Sequence, residues 1–225
     1  MSRSPDPIET RIGYRFEEPR LLAAALTHRS AGAPHNERLE FLGDGALNFI
    51  IAEALFRRLP RATEGELSRL RATLVNGATL AELARDLEMG DFLRLGPGEL
   101  KSGGHRRESI LADALEAVIG AVYLDGGFEA CRAVVLGLWS ERLDSLPDAA
   151  SLKDPKTRLQ EWLQARGRAL PRYELVEARG AEHARVFRIV CTIDGIGERF
   201  AGEGSSRRKA EQAAAAAALA ALAGD

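Results

Sequence analysis

The spacing of apolar and polar positions changes character once along the chain. From Ile8 to Arg142 apolar residues recur at helical intervals, and no stretch before Pro147 reads as a strand. "PRLLAAALTH" (Pro19–His28) has an apolar face behind a proline suited to a first helical turn. "NERLEFLGDGAL" (Asn36–Leu47) opens a long helix that runs on to Leu59. Thr63, with Glu66 three residues on, predicts a capping box. "ATLAELARDLEM" (Ala78–Met89) is a further amphipathic helix, and the Gly-rich segment Leu95–Ser109 is expected to be a loop. "SILADALEAVIGAVYLD" (Ser109–Asp125) is a strongly apolar helix closed by Asp125-Gly126-Gly127, and "FEACRAVVLGLWSERL" (Phe128–Leu143) is the last of the series.

"DSLPDAASLKDPKT" (Asp144–Thr157) is small, polar and Pro-containing, the composition of a linker. "KTRLQEWLQARG" (Lys156–Gly167) is again helical, but the period then becomes two. Phe187, Ile189, Cys191 and Ile193 alternate with Arg188, Val190 and Thr192. Strands are expected at Arg172–Gly180, at Ala184–Gly195 and at Glu198–Gly204, with Asp194-Gly195 as a hairpin turn. An Ala-rich helix from Ser205 closes the chain, since Ala is the best helix former. The expected fold is two domains: all-α over residues 1–145, a flexible linker over 146–154, and α+β (α-β-β-β-α) over 155–225.

Charge supports the division. Residues 1–150 hold 18 Lys/Arg against 23 Asp/Glu, and residues 151–225 hold 13 against 10, so the halves suit different work. The 225-residue chain has only two cysteines, Cys131 and Cys191, far apart, which fits neither a disulfide framework nor a zinc site. No apolar run reads as a signal peptide or a membrane span, so a cytoplasmic protein is expected.

The acids of Asn36–Leu47 are the first chemical signal. At about 100° per residue, Glu37, Glu40 and Asp44 fall within roughly a 60° arc, apart from Leu39, Leu42, Ala46, Phe49 and Ile50. Asp113 and Glu116 border the apolar face of the Ser109–Asp125 helix, with Gly120 between them on the wheel. Two such helices must pack together, and their acids can meet at one end of the contact. Carboxylates at close range stay ionised together only around a cation. An all-oxygen set without His or Cys suits Mg²⁺ or Mn²⁺ rather than zinc. Such a site performs phosphodiester hydrolysis, activating a water and stabilising charge on the attacking and leaving oxygens. A glycosidase-like carboxylate pair is the alternative, but only 6% of residues are aromatic.

The second signal is basic. Arg207, Arg208 and Lys209 crowd the first turn of the last helix behind Ser205 and Ser206, where a docked phosphate makes them favourable. Gly202 and Gly204 permit close backbone approach. Thr157, Gln160, Glu161 and Gln164 form an exposed polar stripe of the kind that reaches 2′-hydroxyls in A-form RNA, and His183 is a further minor-groove candidate. Lys101, Arg106 and Arg107 around Gly103-Gly104 are expected to touch phosphate near the acids.

Together "NERLEFLGDGAL", "ESILADALEAVIGAVYLD" and the tail with "GEGSSRRKAEQAAA" resemble the bacterial ribonuclease III family, from about Ile8 to Leu222. The resemblance implies an all-helical nuclease domain and a double-stranded-RNA-binding domain in a homodimeric, Mg²⁺-dependent endoribonuclease. It implies products with 5′-phosphates and short 3′ overhangs. Glu40, Asp44, Asp113 and Glu116 match metal ligands, Glu37 and Glu64 accessory acids, and Phe41 the apolar residue each subunit inserts into its partner. Thr157, Gln160, Glu161 and Gln164, then His183, then Ser205 to Lys209 match three RNA-contacting regions. The family often has Ser where this chain has Gly45. Two rival readings are a non-catalytic double-stranded-RNA-binding protein, which a missing acid would favour, and a DNA binder, which the 2′-hydroxyl readers disfavour.

Overall fold

The computed structural model describes residues 7–147, 153–180 and 185–222, and it divides into two compact units, 1–149 and 150–225. Among the described residues the first unit is helical, with no strand beyond a single parallel bridge between Thr27 and Arg94. Its elements are α1 (Pro7–Ile12), α2 (Pro19–Ala25), α3 (Glu37–Arg58), α4 (Glu64–Leu74), α5 (Gly77–Asp86), α6 (Pro97–Lys101), α7 (Glu108–Leu138) and α8 (Ser140–Asp144). The expected capping box opens α4: Thr63 Oγ1 accepts from Glu66 N, and Glu66 Oε2 accepts from Thr63 N at 2.7 Å.

Helix α7 is the core of this unit. Ile110, Leu111, Leu115, Val118, Ile119 and Val122 are all buried, so it is apolar on nearly every face and must be surrounded. Its helical run is broken at Gly127 (φ +76), as the Asp125-Gly126-Gly127 signal implies. Buried Trp139 ties the far end to α4, donating its ring N–H to Leu74 O at 2.8 Å.

The segment Leu95–Ser109 departs from the expected loop. Pro97 starts the short helix α6, Gly103 (φ +77) follows its end, and Gly104–Arg106 form a 3-10 turn. The ion pair of Glu99 with Arg107 crosses this segment at 2.9 Å. These turns are fixed by Pro, Gly and a local ion pair, so they leave no periodic apolar signature.

The second unit runs α9 (Pro155–Gln164), β1 (Arg172–Arg179), β2 (Val186–Ile193), β3 (Ile196–Gly204) and α10 (Arg207–Leu222). The sheet is antiparallel in the order β1-β2-β3, and Asp194-Gly195 turn the β2–β3 hairpin with Gly195 at φ +80. Ile189, Cys191 and Ile193 point inward, as their alternation predicts, onto Leu159, Leu163, Phe200 and the alanines of α10. Small residues let α10 lie close: a Cβ at Gly202 would sit 2.1 Å from Ala214 N. Gly202 and Gly204 therefore admit their own helix. Both cysteines are buried and free. Among the described residues no helix is long and apolar enough to cross a membrane.

The two glycines of the Gly-Asp-Gly motif do different things. A Cβ on Gly43 would lie 1.8 Å from the Glu116 carbonyl oxygen, and one on Gly120 would lie 2.2 Å from the Leu39 carbonyl oxygen. Helices α3 and α7 therefore touch backbone to backbone. Gly45 faces open space. Gly43→Ala is expected to lower unfolding free energy by about 3 kcal/mol or more, the upper end of overpacking costs. Gly45→Ala should raise it by about 1 kcal/mol, the ordinary helix gain. Urea denaturation of both variants checks this, and equal effects would refute it.

Candidate metal and nucleic-acid sites

The Gly43–Gly120 crossing explains where the acids go. Glu40 lies one turn before Gly43 on α3, and Asp113 and Glu116 lie two turns and one turn before Gly120 on α7. With the backbones in contact, one carboxylate oxygen from each of Glu40, Asp113 and Glu116 falls within 4.8 Å of the others. All three residues are half-buried.

Crowding and burial act together on these groups. Burial pushes the Glu116 carboxyl up to about 7, with the negative charges of Asp44, Glu40 and Asp113 adding to it. Glu40 is raised by burial, then by Asp113 and Glu37. Asp113 is raised by burial too, while His28 and Arg29 pull it down. Each carboxylate is thus costly to ionise where it stands. An oxygen-only cluster of this size suits a hard divalent cation, and the residues fit one.

The remaining acids are placed differently. Asp44 is exposed one turn beyond Glu40, and its Oδ1 accepts from Asn48 Nδ2 at 2.7 Å, which leaves it outside the 4.8 Å group. Glu37 accepts from Arg29 at 3.0 Å and has His35 at 3.8 Å. Glu64 starts α4, accepts from Ser68 Oγ at 2.7 Å, and lines an apolar depression with Phe49, Ala52, Phe56 and Leu67. Phe41 stands 83% exposed on α3, so core packing does not account for it.

A cavity of about 480 Å³ opens beside the cluster, walled by Glu37, Glu40, Asp113, His28, Arg29 and Arg107, among others. The expected basic loop is therefore divided. Arg107 faces this cavity, Arg106 lines a separate depression with Arg85 and His105, and Lys101 lines neither. Arg29, which sequence reasoning missed, stands at the acids in its place. Its only local signal was its nearness to Glu37.

In the second unit, Thr157, Gln160, Glu161 and Gln164 are all exposed on one face of α9, while Leu159 and Leu163 are buried on the other. Glu161 is held by Lys153 at 2.8 Å. Ser206 Oγ accepts from Lys209 N at 3.2 Å, which organises the first turn of α10. Ser205, Arg208 and Lys209 are exposed there, and Arg207 is partly engaged by Glu211 at 3.3 Å. His183 lies outside the described residues.

Comparison with known proteins agrees with this layout. The ribonuclease-III-like family model matches residues 18–142, and the double-stranded RNA binding motif matches residues 155–222. Ribonuclease 3 of Alkalilimnicola ehrlichii is 60% identical over 96% of this chain and 94% of its own length. Ribonuclease 3 of Nitrosococcus oceani is 63% identical over 94% and 92%. The crystal structure of the nuclease domain of ribonuclease III from Campylobacter jejuni is similar with a TM-score of 0.60 and 40% identity, over 65% of this chain and all of that one. With both family models matched and relatives at this identity over nearly the whole chain, the chain belongs to the ribonuclease III family, a nuclease domain joined to a double-stranded-RNA-binding domain.

Proposed function

We propose that the chain is a Mg²⁺-dependent endoribonuclease, with Mn²⁺ able to substitute, that hydrolyses double-stranded RNA to products with 5′-phosphates and short 3′ overhangs. Its substrates are ribosomal RNA precursors and other structured transcripts, met in the cytoplasm. Residues 1–145 form the catalytic and dimerisation domain, 146–154 the linker and 155–225 the RNA-binding domain. The observation that carries this reading is the gathering of Glu40, Asp113 and Glu116 within 4.8 Å, in a chain that also has a double-stranded RNA binding motif.

Glu40, Asp113 and Glu116 would hold the ion, and Asp44 would complete the set on turning away from Asn48. When bound, Mg²⁺ supplies an activated water and stabilises charge on the attacking and leaving oxygens of the phosphodiester. The chain's own contribution is position and charge. The helix crossing fixes the carboxylates, and their partial burial strengthens their hold on a cation. Thr157, Gln160, Glu161, Gln164 and His183 meet 2′-hydroxyls, and Ser205 to Lys209 meet phosphate at the α10 terminus.

A symmetric pair accounts for Phe41 and Glu64. Phe41 is an exposed aromatic, and the depression of about 700 Å³ lined by Phe49, Ala52, Phe56 and Leu67 is an apolar socket on the same unit. A two-fold axis satisfies both at once, each protomer giving one Phe41 and receiving another. Because Phe41 adjoins Glu40, this docking also brings Glu64 at the socket of one protomer toward the acids of the other.

Purified protein with Mg²⁺ should cut a long RNA duplex to short duplexes with the end chemistry above, and intact RNA at ample enzyme and metal would end the proposal. Glu116→Gln should abolish cleavage while retaining duplex binding; a variant that still cuts would remove Glu116 from the ligand set. Phe41→Glu should weaken the dimer at least about 30-fold, as loss of a buried aromatic anchor of about 2 kcal/mol does. Sedimentation velocity reads this, and an unchanged dimer would place the interface elsewhere.

The acid cluster also fixes a pH dependence. Because Glu40, Asp113 and Glu116 are raised, the folded state holds more protons than the unfolded state between the ordinary carboxylate range and about 7. Their contribution is therefore present at low pH and lost as pH rises above the ordinary carboxylate range, for Glu116 through about 7. In chelator, Glu116→Gln should melt above the parent at pH 8 and near it at pH 5. Added Mg²⁺ should raise the parent's Tm at pH 8 far more than at pH 5, because the ligands must be ionised. Calorimetry at the two pH values checks both, and a variant no more stable than the parent at pH 8 contradicts the account.

A further inference from the structure

A phosphodiester approaching Glu40, Asp113 and Glu116 meets negative charge that one divalent ion offsets only in part. The cavity beside the acids holds cations placed for the remainder. Arg29 and Arg107 both line it, together with His28. The charge of Arg29 is felt by both Glu40 and Asp113, so it stands close to the cluster.

The backbone that carries Arg29 is fixed while its side chain is mostly exposed. His28 N donates to Arg94 O at 3.0 Å, Arg94 N donates to Leu26 O at 2.8 Å, and Asn36 N donates to Thr27 O at 2.9 Å. Gly96 N donates to Ser30 Oγ at 2.9 Å, and a Cβ on Gly96 would lie 2.2 Å from Ser30 O, so residues 28–31 are clamped against 94–96. The Arg29 side chain remains 69% exposed, with Glu37 as its carboxylate partner. Arg107 is 47% exposed and has Glu99 at 2.9 Å, an ion pair outside hydrogen-bonding geometry, with Ser102 Oγ at 3.3 Å.

We propose that Arg29 and Arg107 are substrate-binding residues of the nuclease site. Each guanidinium leaves its carboxylate, Glu37 or Glu99, and takes a phosphate of the RNA strand that enters the cavity beside the cleaved bond. The planar fork of Arg suits carboxylate and phosphate alike, so the exchange keeps an anionic partner throughout. Glu37 and Glu99 act as placeholders that hold the forks toward the cavity. The inference rests on the nuclease reading above.

The test measures binding without cleavage. In full-length Glu116→Gln protein, the affinity for an RNA duplex is measured against KCl concentration for the parent, Arg29→Ala, Arg107→Ala and Arg29→Lys. Each Ala variant should bind more weakly at low salt and lose about one from the salt slope, the signature of one phosphate contact. Arg29→Lys should keep the slope, because Lys retains the charge, and should recover part of the affinity. Melting temperature is read alongside, since a merely structural change would lower it without altering the slope. If both Ala variants keep the parent's slope and affinity, the proposal is overturned while the nuclease reading stands. If the parent itself does not bind duplex RNA, both fall.

Discussion

The site depends on one backbone contact. At Gly43 and Gly120 two long helices approach so closely that neither position has room for a methyl group. Side chains one or two turns away are thereby brought into range, and carboxylates from α3 and α7 come within 4.8 Å. A wider crossing, of the kind larger residues impose at 8–10 Å between axes, would leave the same acids as separate surface charges. The contact is costly. Each mid-helix glycine forgoes about 1 kcal/mol relative to alanine. The gathered carboxylates then resist ionisation, most of all Glu116. Burial along the rest of α7, from Ile110 to Val135, offsets these costs and keeps the arrangement folded.

Helix α3 shows how much one element can serve. Its buried arc, including Leu39, Leu47, Ile50 and Leu55, belongs to the core. A second arc carries Glu37, Glu40 and Asp44. Phe41 projects from a third, into solvent in the single protomer. Exposed aromatic and charged residues share its outward surface, so the helix has little overall amphipathic signature although most of these positions have a packing or chemical setting. Gly45 is the exception: it faces open space, carries no packing duty, and no feature of the structure explains it.

Much of this was legible in sequence because it is periodic or local. The 3.6 and 2.0 periods separated the two units, the Thr63–Glu66 box located α4, and the spacing of Glu37, Glu40, Asp44, Asp113 and Glu116 pointed to a carboxylate cluster, of which the structure gathers Glu40, Asp113 and Glu116. What was not legible depends on contacts between distant segments. Asp44 leans to Asn48, a preference only a side-chain conformation reveals. Gly202 and Gly204 looked open to a ligand, but α10 fills the space beside them. Arg29 passed unnoticed because its importance arises from the clamp between residues 28–31 and 94–96, some sixty residues apart in the chain. The Leu95–Ser109 segment misled for the related reason that Pro, Gly and one ion pair shape it without any apolar rhythm.

The charge pattern then has a consistent physical meaning. A chain half with an excess of acids is an unpromising surface for a polyanion, and long-range attraction is better supplied by the basic α10 terminus of the other half. Near the acids, cations must do a different task at short range. They have to neutralise phosphate without collapsing permanently onto the clustered carboxylates. Pairing Arg29 with Glu37 and Arg107 with Glu99, rather than with Glu40, Asp113 or Glu116, achieves this. Glu40, Asp113 and Glu116 are left available to a cation, and the two guanidiniums stay exposed beside the cavity. Exchanging one oxyanion for another on such a fork changes little in solvation, whereas drawing an unpaired Arg from water would cost more. On this view Glu37 and Glu99 matter to the site through the arginines they hold rather than through the metal.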